Sequence, residues 1–341
     1  MPKDNIFDRM ILITGATGFV GSYLAKLLLE RGEKIRAIKR ASSLLNLLGN
    51  YAEKIDWVEG DILDVVSLEE AMKGVSRVYH CAAMISFAAK DTEALMKVNI
   101  EGTANVMNAA IYAGVEKVVH VSSVAAFGLP VQGKIIDEKY SDPNINKAFW
   151  YFRSKQYGER EAWRAAEEGL SVVVACPGTI LGAGWWEAEP NSIFRAVANG
   201  LSFYTTATNG FVDVRDVAEA LILLMEKGAN GEKYILVGEN LSYEELMWQV
   251  ADEMKVSRPS IAAKKWLLTL VWISESVKTI FTKKEPLVTR ESAAIAGVSF
   301  TYSNEKIKQL GFSFRPIRTT ISDTTKAYIK SKAEQKNFGS F

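Results

Sequence analysis

The fold is decided by one stretch near the start of the chain, Met10-Ile11-Leu12-Ile13-Thr14-Gly15-Ala16-Thr17-Gly18-Phe19-Val20-Gly21-Ser22. Met10 to Ile13 is a short apolar run, the pattern of a strand buried on both faces. Glycines follow at positions 15, 18 and 21, and apolar residues then recur at helical spacing through Val20, Leu24, Leu27 and Leu28. Strand, glycine turn and helix together predict a dinucleotide site. Gly15 permits the tight turn, Gly18 lets a pyrophosphate approach the backbone, and Gly21 lets the helix pack closely on the strand. The free N–H groups and positive dipole end of the helix then hold the phosphates, with Thr17, Phe19 and Val20 beside them.

Outward from this stretch, short apolar runs alternate with helical patterns. Strands are expected at Lys34–Lys39, Ile55–Glu59, Arg77–Cys81, Lys117–Ser122 and Ser171–Cys176. A leucine cluster at Leu44, Leu45, Leu47 and Leu48 reads as helical, as do Val66–Lys73, Asp91–Ala113 and Ala148–Glu168. Continuous apolar strands between helices predict a Rossmann-type, doubly wound parallel α/β sheet over residues 1–178. After Gly178 the alternation breaks down. Residues 179–330 are expected to form a smaller substrate domain, with 211–238 returning to the main sheet and a frayed polar tail at 331–341. Ser242-Tyr-Glu-Glu245 is a capping box that opens a helix.

Composition narrows the function classes. The 341 residues are 48% hydrophobic and 24% charged, as in a globular protein with a sizeable core. Lys plus Arg (41) balances Asp plus Glu (40), so the net charge of +1 predicts no nucleic-acid or membrane field. Cys81 and Cys176 lie in apolar runs and are expected as reduced thiols of a cytoplasmic protein without a signal peptide. His80 and His120 lack ligand spacing, so no metal site is expected. The apolar run Trp266–Ile273 is too short to span a bilayer.

A second constellation lies at the fifth strand and the helix after it. The strand ends Ser122-Ser123, and the helix begins Tyr151-Phe-Arg-Ser-Lys155. Tyr and Lys at i and i+4 share a helix face. A tyrosine hydroxyl has an unperturbed pKa of about 10, and a neighbouring ammonium favours its phenolate. Ser123, at the carboxyl end of a parallel strand, stands where such sheets bind ligands and can hydrogen-bond a substrate carbonyl.

Together these motifs resemble the extended short-chain dehydrogenase/reductase family, in particular its dihydroflavonol-reductase-like and hydroxysteroid-dehydrogenase-like branch. Thr14-Gly15-Ala-Thr-Gly18-Phe-Val-Gly21 matches the family's TGxxGxxG. Gly60-Asp61-Ile62-Leu-Asp64 resembles the segment whose Asp contacts the adenine, and His80-Cys-Ala82-Ala83 the turn that lies against the cofactor. Asn99 resembles the helix asparagine of the active-site framework. Pro177-Gly178-Thr179 resembles the loop packed on the nicotinamide. Ser123, Tyr151 and Lys155 match the catalytic serine, tyrosine and lysine. The resemblance implies hydride transfer between NAD(P)H and a carbonyl carbon, with Tyr151 as proton donor and Lys155 on the nicotinamide ribose. It also implies a homodimer through the helices at 91–113 and 148–168.

An acidic residue at the end of the second strand marks an NAD enzyme; here Lys39-Arg40-Ala-Ser42 suits a 2′-phosphate, with Arg40 able to make bidentate contacts, so NADP(H) is expected over NAD(H). Val124-Ala125-Ala126 after the serine departs from sugar dehydratases. Thr208-Asn209-Gly210 lacks the arginine of nucleotide-sugar epimerases. Met84, Ile85, Phe87, Phe127, Leu129, Phe149, Trp185 and Trp186 suggest an apolar or aromatic carbonyl substrate. The alternatives are a nucleotide-sugar epimerase or dehydratase and a non-catalytic NADP-binding sensor.

Overall fold

A computed structural model describes residues 10–131, 133–142, 149–188, 191–263, 295 and 297–341. The strands among the described residues are β1 (Met10–Thr14), β2 (Ile35–Lys39), β3 (Asp56–Glu59), β4 (Val75–His80), β5 (Lys117–Val121), β6 (Val172–Pro177), β7 (Thr179–Leu181), β8 (Phe203–Tyr204), β9 (Thr208–Asp213), β10 (Glu232–Leu236), β11 (Glu239–Ser242) and β12 (Ile261–Ala262). Seven of them build the central sheet in the order β10-β6-β5-β4-β1-β2-β3. Every pair in it is parallel. The strand order reverses between β1 and β4, and that crevice, at the carboxyl ends, is where open α/β sheets bind ligands.

Alternation along each strand divides the core into two layers. Leu12, Val78, Val118 and Val172 face the layer of α2 (Val65–Met72), α4 (Gly102–Tyr112) and α5 (Trp150–Glu167). Ile11, Ile13, Tyr79 and Val119 face α1 (Phe19–Glu30) and α7 (Val214–Lys227), against Leu24, Leu28 and Leu221. The expected helix at 91–113 is one rod with a defect: α3 (Thr92–Met96) runs into a π segment at Lys97–Glu101 and then into α4. A second sheet, β11-β9-β7, sits over a core of Phe194 from α6 (Ser192–Ala198), Phe211, Leu246, Ile317 and Ile321. The capping box forms as expected at the start of α8 (Tyr243–Met254), where Ser242 and Glu245 bond reciprocally.

Three expectations change. The leucine cluster at 44–48 forms turns before a 3₁₀ segment, Gly49–Lys54, because Leu47 and Leu48 bury into the core while Leu44 stays exposed. The tail is not frayed. Helix Ile317–Ala333 carries it back to the 182–186 loop, where Trp186 N–H donates to Asn337 and Gly339 N–H to Gly184. Phe338 packs against Trp185, and the Arg215 guanidinium lies 4.1 Å from the centre of the Phe341 ring. Phe127, Phe149 and Trp186, expected along a substrate lining, are core residues. The Trp266–Ile273 run lies outside the described residues. Among the described residues no helix is long and apolar enough to cross a membrane, and no cluster of metal-ligating side chains occurs.

Candidate functional site

The glycine turn is shaped by close approach. Gly15 has φ +74°, and a Cβ there would stand 2.6 Å from the backbone nitrogen of Ala82. A Cβ on Gly21 would stand 2.1 Å from the carbonyl oxygen of Gly15, so α1 can descend onto the turn only with glycine at that position. Gly18 is the extended residue before α1; no side chain caps that helix, and its first turn carries no acidic residue. The uncapped N–H groups and the dipole end form a cradle for a phosphate. Thr17, Phe19 and Val20 are half-buried around it.

The register places Thr14 beside His80 and His80 beside His120 on adjacent strands. Their side chains form a directed chain of hydrogen bonds. Thr103 Oγ1 donates to the Asn99 carbonyl (2.8 Å), so toward His80 Nε2 (3.1 Å) it can only accept. His80 therefore carries its proton on Nε2, and its bare Nδ1 accepts from Thr14 Oγ1 at 2.7 Å. Thr14 Oγ1 in turn accepts from the Ala82 N–H at 3.3 Å. Burial pushes the His80 pKa down to about 3, keeping it neutral, and also holds the stacked His120 ring well below its ordinary value. Spacing along the sequence speaks only against a metal site at these two histidines. It carries no signal for a relay whose partners lie 66 and 23 positions away.

Asn99 sits in the π segment, 3% exposed. Its amide accepts from the Met84 N–H (2.8 Å) and donates to the Met84 carbonyl (2.9 Å) and to Ser154 Oγ (2.9 Å). It thus joins the loop after β4 to α5. The extra residue of a π turn brings the Asn99 carbonyl so close to α5 that a Cβ on Gly158 would lie 2.3 Å from it. Gly158 is thus a requirement of this packing that the sequence reading missed.

Ser123 lies just past the carboxyl end of β5, and Tyr151 and Lys155 stand one helical turn apart on α5. Ser123 Oγ accepts from the Ala125 N–H at 3.1 Å and keeps its own proton for another acceptor. Tyr151, in the first turn of α5, has Phe87 edge-on at 5.1 Å between ring centres. Lys155 is 7% exposed, and its Nζ donates to the Val121 carbonyl at 3.2 Å, two residues before Ser123. Burial lowers its pKa to about 8; Cys176, Glu159 and Cys81 act in the opposite sense.

Of the other expected residues, Arg40 is exposed at the end of β2, where its N–H is held by Ser43 Oγ at 3.1 Å. Lys39 lies over the Trp57 ring instead. Asp61 accepts from the Leu63 N–H at 3.0 Å in a tight turn. The Ile62 side chain is buried, so close under α4 that a Cβ on Gly102 would lie 2.5 Å from it. Ala82 follows β4 against the glycine turn, and Ala83 after it is exposed. Pro177 ends β6; Gly178 lies too close to the Gly210 carbonyl for a side chain; Thr179 Oγ1 accepts from Asn209 at 3.0 Å.

Residues 11–238 match the model of the NAD dependent epimerase/dehydratase family. A Synechocystis protein provisionally named dihydroflavonol 4-reductase is 34% identical over 321 residues, 91% of this chain and 92% of that protein. Cinnamoyl-CoA reductase 1 of Petunia hybrida is 28% identical over 340 residues, covering 95% and 93% of the two chains. The crystal structure of gox2253 superposes with a TM-score of 0.81 at 34% identity, over 95% of this chain and 98% of that one. The chain belongs to the NAD dependent epimerase/dehydratase family, and is an NAD(P)-dependent oxidoreductase of the extended short-chain dehydrogenase/reductase type.

Proposed function

From that membership, we propose that the chain is an NADP(H)-dependent reductase of a small apolar or aromatic carbonyl compound, with Ser123, Tyr151 and Lys155 as its reacting site. The observation that carries this reading is the buried Lys155 ammonium one helical turn beyond Tyr151, at the carboxyl end of the strand that delivers Ser123. A buried ammonium is costly to keep, and a phenol one helical turn away offers it a chemical use.

The cradle at Gly15, Gly18 and the first turn of α1 would hold the cofactor pyrophosphate, Asp61 the adenine, and Ala82, Ala83 and Pro177-Gly178-Thr179 the nicotinamide end. Bound there, the cofactor supplies the hydride. The Ser123 hydroxyl hydrogen-bonds the substrate carbonyl oxygen and orients it, keeping its own proton. Tyr151 gives its hydroxyl proton to that oxygen as the carbon is reduced, and the Lys155 charge stabilises the phenolate left behind. Asn99 acts at one remove, by fixing the Met84 loop and α5. Arg40, exposed at the end of β2, suits a ribose 2′-phosphate.

Support for an apolar substrate comes from the loop after β4. Phe87 lies against Tyr151, and Ile85 on the same loop is 61% exposed. NADPH consumption against aromatic aldehydes, cinnamoyl thioesters and dihydroflavonols tests the reading. Tyr151→Phe should cost turnover about a thousandfold or more while NADPH still binds. Near-normal turnover in that variant would refute the site. Arg40→Ala should weaken NADPH about tenfold and leave NADH unchanged; equal losses for both cofactors would remove the 2′-phosphate assignment.

A further inference from the structure

One buried carboxylate belongs to none of the roles above. Glu159 lies on α5 one turn beyond Lys155 and is 5% exposed. Its Oε2 accepts from Ser122 Oγ at 2.9 Å, with the Cys176 thiol at 3.9 Å. Its Oε1 accepts from Lys233 Nζ and from Trp163 Nε1, each at 3.1 Å. Lys233 reaches in from β10 and stands 4.2 Å from the centre of the Phe127 ring, in the 3₁₀ turn that Ser123 caps. A single side chain thus ties the end of β5, the helix of Tyr151 and Lys155, β6 and the sheet edge together.

We propose that Glu159 is a positioning residue of the site: it fastens the Ser122-Ser123 strand end to the Tyr151–Lys155 helix and supplies the negative charge that keeps the Lys155 ammonium protonated. The inference rests on the proposed reading of Tyr151 and Lys155 as reacting groups.

The groups facing Lys155 leave few other sources of such a charge. From the end of β4 comes His80, with Cys81 just after it, from β5 His120, from β6 Cys176, and from α5 Glu159, with Tyr151 one turn before Lys155. Burial keeps both histidines uncharged and both thiols protonated: it pushes Cys81 up to about 12 and Cys176 well above its ordinary value. Glu138, which faces Cys176, spends its Oε1 on the Ile235 N–H at 2.9 Å. Glu159 has the one partner that stabilises a buried carboxylate, the Lys233 ammonium, together with two further donors. Opposite charge across one helical turn favours the protonated lysine; a neutral amide does not.

The test needs no substrate, so it stands apart from the turnover measurements on Tyr151→Phe. Lysine labelled with ¹³C at Cε reports the protonation of each ammonium by NMR, and the Lys155 signal is assigned by its disappearance in Lys155→Met. In the parent chain its titration midpoint should fall near the value of about 8 that burial imposes. Glu159→Gln should lower that midpoint by roughly half a pH unit or more. Ser122→Ala, which removes a hydrogen bond but not the charge, should leave it in place. Glu159→Gln leaves Lys233 without its carboxylate; if that unfolds the chain, Lys233→Met becomes the reference, and Glu159→Gln added to it should lower the midpoint by the same half unit or more, because the opposing lysine charge is absent from both. An unmoved midpoint in either of the Glu159 variants overturns the proposal, whatever becomes of the Tyr151 assignment.

Discussion

Two buried polar clusters stand behind the site on neighbouring strands, and they are built in opposite ways. The groups hydrogen-bonded to His80 are neutral, and protons run in one direction from Ala82 through Thr14 to the ring, and from the ring through Thr103 to the Asn99 carbonyl. Around Lys155 and Glu159 the groups are charged, and the Lys155 ammonium has only the Val121 carbonyl as a hydrogen-bond acceptor among the described residues. A neutral relay with each proton placed adds to stability. A buried ammonium takes stability away and is explained by what it does to a neighbour. The first cluster holds the glycine turn against the loop after β4; the second belongs to the proposed reaction.

Acid should separate them most strongly. The folded-state pKa of His80, about 3, lies below the unfolded value of 6.5, so the unfolded chain alone takes up that proton between the two. Stability is therefore full above 6.5 and is lost as pH falls toward 3, by about 1.4 kcal/mol per pH unit, or roughly 4–5 kcal/mol across the window. His120, depressed in the same direction, adds to the loss. Urea unfolding at pH 7 and pH 5 measures it. His80→Gln keeps a donor and an acceptor but cannot titrate, and should shrink the difference by roughly 2 kcal/mol. An unchanged difference would mean that His80 is not held neutral.

Lys155→Met should act with the opposite sign. Its folded-state pKa of about 8 lies below the unfolded 10.5, so at pH 7 the folded chain carries a charge it holds less readily than the unfolded chain does. Replacing it should raise stability by about 2–3 kcal/mol at pH 7 while abolishing carbonyl reduction. The gain should shrink as pH rises from 8 to 10.5, where the parent sheds the penalty. Loss of both stability and activity would show that Lys155 is structural, like the histidine cluster.

The two clusters also mark how far the sequence could be read. Gly15 and Gly21 were legible because their constraint is local: a turn with positive φ, and a helix descending onto the carbonyl just before it. Tyr151 and Lys155 were legible because helical spacing brings i and i+4 together whatever the rest of the chain does. His80, Thr103 and Glu159 were not. Their roles depend on strand register, on a π turn and on Lys233, a partner 74 residues away. The tail read as frayed for the same reason: its polar residues carry no trace of the 182–186 loop whose backbone they pair with.

The smallest expected effect sharpens the comparison most. Thr103→Val keeps the shape of the side chain and removes the hydroxyl that accepts from His80 and donates to Asn99. A buried N–H without an acceptor costs about 1–3 kcal/mol, and His80 has one escape, moving its proton to Nδ1. That move puts an N–H against Thr14 Oγ1, which already accepts from Ala82, and turns the Thr14 hydroxyl away from the ring. The strap between the β1 turn and the β4 loop then weakens, and NADPH affinity should fall severalfold even though, among the described residues, Thr103 hydrogen-bonds to neither segment. Long-range ¹H–¹⁵N spectra of the imidazoles decide between the outcomes. The parent should show His80 protonated at Nε2. In Thr103→Val, a switch to Nδ1 with weaker cofactor binding supports a directed relay, whereas an unswitched ring with unchanged binding reduces the cluster to packing.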